Sequence, residues 1–499
     1  MKKNLIASVL KGMTLFVLTL AVCKYSKGVG AAAIVGIAFC LAVSGKIGWA
    51  LVGYILFPFM VIMNPYLLPK EGITSIVLRL GPVIVTGGLL ISGAMRPGKH
   101  QIPMEMIWLF LVVAVVSSIG GYYPEISYLK IINCAILFIG LQLGFRNIDK
   151  RPDDVEVTRK FLLVITSFVI WGSLFVLIFM PGIAYMTSLH SLLNEAGSEV
   201  ANMAVKQADG PLLFGGVTNQ AQCLAVVLPA SLVWLACDMF FIERRVTLYH
   251  SLTVFAGLPL IYLTRSRAAM LTSGVAMVMM YFYCMKHINI RPALKNKMKS
   301  AMNGAVFLII VACVVSEVRS NAITKWMRKR ESYAEQGMNM QQSLTQSRMG
   351  QVEANMYDFK RNPLLGSGFQ VSYDMKYTFK GHKGLILSAS IEKGILPLMV
   401  LGETGVLGAI VFLLFLISFY AGCKKRQLYC TSTLMTVFLA SNMAEATFFS
   451  PGGIGGILWV LCIGGGFVLD TGVIYRHRLA RIAQEQQFAM MQQQMEGGI

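Results

Sequence analysis

Charge is scarce in this chain. Only 14% of its 499 residues are Asp, Glu, Lys or Arg, whereas 56% are hydrophobic, and the mean hydropathy is +0.63. Soluble domains carry about 25% charged residues, so a large cytosolic enzyme or a folded soluble ectodomain is excluded. Acidic residues are scarcer still, 24 against 44 Lys and Arg, and there are only six histidines. The ten cysteines, Cys40, Cys134, Cys237 and Cys462 among them, fall in or beside apolar runs. Their spacing matches neither a disulfide framework nor a zinc site, which makes them small core residues. The sequence shows no internal repeat, and the first apolar run lacks a small-residue cleavage site, so that run is expected to be kept as a helix. What remains is spanning sequence: at about 20 apolar residues per span, the hydrophobic content fills roughly fourteen helices.

The apolar runs predict helices at 4–23, 28–45, 47–63, 76–93, 104–119, 129–145, 161–181, 221–241, 251–264, 268–285, 300–316, 395–421, 429–447 and 453–475. The runs 251–264 and 268–285 are short enough to be tilted or re-entrant. The expected fold is therefore an all-α integral membrane protein of about 12–14 transmembrane helices. Cations in the short breaks set the orientation, because Lys and Arg beside a span resist translocation. Most lie in alternate breaks with the two termini, as in Lys2, Lys46, Arg146 to Lys160, Lys286 to Lys299, Lys424 to Arg426 and Arg476. The other short breaks hold few, among them Lys24, Lys70, Lys130, Arg265 and Arg267. Both termini are thus expected in the cytoplasm, and the formal charge of +20 reads as topology and anionic-lipid contact, with no nucleic-acid surface.

The chain divides into N-terminal helices (1–160), helices carrying a first outside loop at 182–220 and an arginine-rich outer turn at 264–267 (161–316), a large, partly helical outside loop (317–394), C-terminal helices (395–475) and a cytoplasmic tail (476–499). An unstructured connection of that length is uncommon, which marks 317–394 as functional. Ionisable residues near the bilayer midplane, expected of a proton-coupled transporter, are nearly missing. Arg79, Glu317 and Glu445 lie near outside helix ends, while Asp238 and Asp470 lie near inside ends, where they are expected to reach water. Glu403 is the exception, at roughly 12 Å below the outer boundary for a rise of about 1.5 Å per residue.

Within the large loop, Met349, Val352, Met356 and Phe359 recur at helical spacing, predicting one apolar face over 344–360 that ends at Pro363. Arg348 stands on the edge of that face, either as a snorkelling or salt-bridged arginine or as an anion ligand. A tight turn follows, Asn362-Pro363-Leu364-Leu365-Gly366-Ser367-Gly368, whose glycines permit close approach of another backbone or a ligand. Lys325, Arg328, Lys329 and Arg330 form a basic cluster suited to lipid headgroups or a pyrophosphate. The turn Thr264-Arg265-Ser266-Arg267 places two arginines where topology disfavours them. A planar, permanently charged guanidinium suits phosphate oxygens, with interfacial anchoring as the plain alternative.

These stretches resemble the O-antigen ligase and polymerase superfamily, bacterial membrane glycosyltransferases of GT-C type. The resemblance rests on Phe214-Gly215-Gly216-Val217-Thr218-Asn219-Gln220, on Thr264-Arg265-Ser266-Arg267-Ala268-Ala269, on Ser347-Arg348 through Asn362 to Gly368, and on Gly402-Glu403-Thr404-Gly405-Val406-Leu407-Gly408. It covers a little under half the chain, from Leu213 to Gly408. It implies a multi-pass protein of the bacterial inner membrane with its active site and large loop facing the periplasm. Its donor would be an undecaprenyl-diphosphate-linked oligosaccharide, and its acceptor a sugar hydroxyl on a growing glycan or on lipid A core. Family ligases carry a histidine eleven positions before the first glycine of a Gly-x-x-Gly pair; counted from Gly405, that position is Gly394. The departure favours repeat-unit polymerase over ligase, with a chain-length regulator as a partner.

In such a reaction the leaving group is already anionic and needs charge stabilisation more than a proton. The resemblance assigns diphosphate contacts to Arg267 and Arg348; Arg265 and Arg79, near the same face, are the candidate helpers from the charge pattern. A base must take the acceptor proton, and the candidates are Glu392, His382 and Glu403, in that order. Tyr373, Tyr377 and Phe379 either stack on sugar faces or anchor the loop at the headgroups. A single displacement inverts the anomeric centre. No cofactor is expected, and no metal, since paired guanidinium groups can replace a divalent cation. A lipid-linked oligosaccharide flippase is the competing transporter reading, and an assembly partner in polysaccharide export is the non-catalytic one.

Overall fold

A backbone in lipid must satisfy its own hydrogen bonds, so apolar runs of this length become helices. The computed structural model describes residues 2–26, 28–68, 72–92, 101–146, 152–185, 214–244, 247–264, 269–275, 352–371, 394–443, 446–475 and 484–487, together with positions 148, 266, 278, 279, 296 and 300. Among the described residues, the main helices before the large loop are α1 Lys2–Tyr25, α2 Val29–Val43, α3 Ile47–Val61, α4 Gly72–Ile91, α5 Glu105–Ile119, α6 Pro124–Arg146, α7 Pro152–Phe179, α8 Ala221–Cys237 and α9 Leu248–Leu263. A π-turn, Asp238–Glu243, extends α8. Within and after the loop come α10 (352–361), α11 Leu396–Arg426, α12 Tyr429–Asn442 and α13 Ile454–Tyr475.

Among the described residues, seven helices are long and apolar enough to cross a membrane: α1, α4, α6, α7, α8 with its π-turn, α11 and α13. Four more, α2, α3, α5 and α9, are shorter apolar helices. The chain is a multi-pass, all-helical membrane protein. The helix expected at 300–316 and most of the one at 268–285 lie outside the described residues, as do most of the loops 182–220 and 317–394. Helices α6 and α7 begin earlier than expected, at Pro124 and Pro152. A proline and acidic residues (Glu125; Asp153 and Asp154) suit a first helical turn, so each helix runs past its apolar stretch.

Helix α8 forms the centre, nearly all of it buried, and packs on α7, α9, α12 and α13. Outer helices turn apolar side chains such as Leu15, Ile37, Phe255 and Leu413 away from the protein. Among the described residues, hydrogen bonds between breaks join breaks that the charge pattern places on one side. At one end, Lys24 Nζ donates to Tyr66 O at 2.9 Å and Asn219 N to Ile62 O at 2.8 Å. At the other, Arg426 reaches Glu105 at 3.1 Å and Thr158 Oγ1 donates to Gly48 O at 3.4 Å.

Two acidic residues at this second end depart from expectation. Asp238 and Asp470 do not reach water; both are buried. Asp238 accepts from Arg159 Nε at 2.6 Å and Nη2 at 3.1 Å, and lies 3.0 Å from His250 Nε2, so α7, the π-turn and α9 are pinned together. Asp470 accepts from the backbone N–H groups of Cys430 and Thr431, each at 2.9 Å, and from Thr431 Oγ1 at 2.7 Å. Those N–H groups open α12 and have no partner within it, so a carboxylate of α13 caps the helix from outside. Proximity to a helix end is a poor guide to solvation when a guanidinium or unpaired N–H groups can take the charge.

Candidate functional site

Helix α11 is broken. Gly405 holds φ 63° and ψ −166°, far from helical values, so the carbonyls just before it lose their partners within the helix. The turn Asn362–Gly368 supplies replacements: Ser367 N donates to Gly402 O at 2.9 Å and Gly368 N to Glu403 O at 3.0 Å. Beyond the break the exchange reverses, with Val406 N donating to Pro363 O at 2.9 Å and Leu407 N to Leu364 O at 3.3 Å. The two backbones approach so closely that side chains are excluded. A Cβ on Gly405 would lie 2.3 Å from Leu364 O, and one on Gly366, itself at φ +73°, would lie 2.4 Å from Glu403 C. The glycines of both motifs thus serve one contact. The turn also braces itself: Asn362 Oδ1 accepts from Leu365 N at 3.3 Å and Asn362 O from Gly366 N at 2.8 Å.

The end of α5 and the start of α6 form the third wall. Ser117 Oγ donates to Glu403 O at 2.6 Å and also faces Leu365 O, which places it between the two strands of the junction. Ser118 Oγ accepts from Phe369 N at 3.2 Å, and Tyr122 N donates to Ser367 O at 3.1 Å. Lys130 is buried, with Nζ donating to Gln370 O at 2.8 Å. Below the junction, the buried Phe369 ring packs on Phe110 and Phe449.

Helix α10 closes the site in an unexpected way. It ends before Pro363, as anticipated, but its most deeply buried residues are the polar pair Asn355 and Asp358, with Val352, Met356 and Phe359 only half-buried. A Cβ on Gly402 would meet Asn355 O at 2.9 Å, so this helix leans on α11 through its backbone. Arg361 lies over the Tyr122 ring, 5.2 Å from its centroid, and Asp358 is buried on the same turn of α10. Burial, and next the negative charge of Asp358, push the Tyr122 phenol above its ordinary pKa. It is therefore a neutral phenol near pH 7.

Of the residues singled out in the sequence, Glu403 lies in this junction, buried two residues before the break. Arg79 is half-buried in α4, a helix that packs on α2, α3 and α6. Arg265, Arg267, Arg348, His382 and Glu392 lie outside the described residues, as do Tyr373, Tyr377, Phe379 and the basic cluster at 325–330. Between the two arginines of the outer turn, Ser266 Oγ accepts from Ala269 N at 3.3 Å and caps the helix that follows. The Phe214–Gln220 stretch has a bracing role. Asn64 at the end of α3 exchanges bonds with it, Asn64 N donating to Val217 O at 2.8 Å and Nδ2 to Gly216 O at 3.2 Å.

Sequence reasoning missed Ser117, Tyr122, Lys130 and Asp358. Lys130 had been counted as a loop cation, because the apolar run alone places the start of α6 too late. The paired serines closing an otherwise apolar α5 are the signal that could have found Ser117. Chemically, the site offers a carboxyl, a buried ammonium, and a phenol beside a carboxylate and a guanidinium, all mounted on a rigid backbone junction. Among the described residues no group of three or more His, Cys, Asp or Glu converges in a way that could hold a metal ion. Comparison of the chain with models of known protein families finds no match, and comparison with curated proteins finds none either.

Proposed function

We propose that the protein is a membrane glycosyltransferase that moves a glycan from undecaprenyl diphosphate to a sugar hydroxyl at the periplasmic face of a bacterial inner membrane, as a repeat-unit polymerase of surface polysaccharide. One observation carries this reading. Two of the stretches that bear the resemblance, Asn362–Gly368 and Gly402–Gly408, join through four backbone hydrogen bonds around the buried Glu403. Sequence features that are each weak alone thus meet in one rigid site.

In the proposed reaction the acceptor oxygen bonds to the anomeric carbon as the carbon–oxygen bond to diphosphate breaks. The electron pair leaves with undecaprenyl diphosphate, and the acceptor proton goes to a carboxylate or imidazole among Glu403, Glu392 and His382. Arg267 and Arg348, with Arg265 and Arg79, neutralise the departing charge. The flippase reading fits less well, since the buried Lys130 and Arg159 are held by Gln370 O and Asp238. In cells, Arg267→Ala and Arg348→Ala should each abolish polymerised glycan and let lipid-linked units accumulate while the protein stays expressed. Unchanged glycan length and amount in both variants would refute the proposal. Loss confined to glycan on lipid A core would reassign the chain as a ligase.

A further inference from the structure

At the end of the bundle opposite the glycine junction, the start of α5 and the last turn of α6 enclose a cavity of about 240 Å³ lined by Gln101, Ile102, Glu105, Trp108, Gln142 and Arg146. Its floor is fixed, with Trp108 Nε1 donating to Gln142 Oε1 at 3.2 Å. Its one acidic residue is neutralised, since Arg426 of α11 pairs with Glu105 at 3.1 Å and also donates to Gln101 O. Arg146 differs. Its Nε is buried and has no acceptor among the described residues. A cation in the last turn of a helix is favoured by the helix dipole, yet that attraction needs no buried Nε. A buried Nε–H wants an acceptor, and the oxygens of a phosphate match the parallel Nε–H and Nη–H groups of a guanidinium.

The surroundings identify the carrier of that phosphate. Glu105, on the rim, heads a stripe along α5 that continues through Leu109, Val112, Val116 and Ile119 at intervals of three and four, all apolar and 43–68% exposed. An apolar face of that kind suits acyl chains, and it starts at the mouth of the cavity. We infer that this cavity is a headgroup site for an anionic phospholipid, the phosphodiester on Arg146, headgroup hydroxyls facing the Gln101 and Gln142 amides, and acyl chains along the α5 stripe. Inorganic phosphate shares the charge but would gain nothing from the stripe. Basic pockets between transmembrane helices are known places for such headgroups.

Native mass spectrometry of the full chain tests the inference, with phosphatidylglycerol, phosphatidylcholine and inorganic phosphate as separate probes. Wild-type protein should retain phosphatidylglycerol in preference to phosphatidylcholine, and millimolar phosphate should not displace it. Arg146→Gln should weaken retention about tenfold with the melting temperature preserved. Should that variant fail to fold, Arg146→Lys is read in its place; it keeps the charge but lacks the planar fork, and is expected to lose severalfold. Equal retention of the two lipids, displacement by inorganic phosphate, or wild-type retention in the folded Arg146 variant would each overturn the inference.

Discussion

At the scale of single residues, the site rests on glycines that nothing else can replace. Gly405→Ala must place a side chain at φ 63° and push it into Leu364 O, so it should cost about 2–4 kcal/mol. Gly36 is the control: a Cβ there meets nothing within 4 Å, and Gly36→Ala should leave stability unchanged or slightly raised. Thermal unfolding of the two variants in detergent checks the contrast, and equal melting temperatures would mean that the junction is not closely packed. The glycines were legible as a pattern, because Gly366, Gly368, Gly402 and Gly405 stand at turn and motif spacing. Ser117, Lys130 and Asp358 were not, because each is buried by partners distant in the chain: Glu403 O for Ser117, Gln370 O for Lys130 and Tyr122 for Asp358. No local pattern announces a partner that arrives from another helix.

At the scale of elements, the apolar runs fix which segments are helical, and almost every described helix falls where its run lies. The interruptions are what the runs conceal. The break in α11 falls at Gly402-Glu403-Thr404-Gly405 within one long run that is otherwise apolar, and the docked Asn362–Gly368 turn sustains it by accepting and donating the bonds that a continuous helix would have kept. The far ends of α7, α8 and α9 depend in the same way on one buried charge. Asp238→Ala would leave Arg159, 6% exposed at its side chain, with its contacts to Glu243 at 2.7 Å and Glu156 at 3.2 Å, would take the carboxylate from His250 Nε2, and should cost about 2–3 kcal/mol. Replacing both partners, Arg159→Met with Asp238→Leu, also takes the guanidinium from Glu243, which is 11% exposed at its side chain, so the double variant should melt no higher than Asp238→Ala alone. A double variant melting well above the single one would show that apolar packing outweighs the whole ion cluster.

At the scale of the whole molecule, the charge pattern and the contacts between breaks agree on which segments share an end, and the proposed function adds which end faces the periplasm. Leu364, exposed on the junction turn, and Lys424, exposed in the last turn of α11, report the two ends. Leu364→Cys in intact cells should react with a membrane-impermeant maleimide, and Lys424→Cys only after permeabilisation; the reverse order would put the site in the cytoplasm. The most direct test of the central claim is turnover by purified protein in liposomes supplied with an undecaprenyl-diphosphate-linked oligosaccharide. Wild-type protein should lengthen the glycan with one undecaprenyl diphosphate released per linkage, and Arg267→Ala and Arg348→Ala, folded by melting temperature, should fall by about a hundredfold or more. Full turnover in both variants, or glycan carried across the bilayer with no new linkage formed, would contradict it.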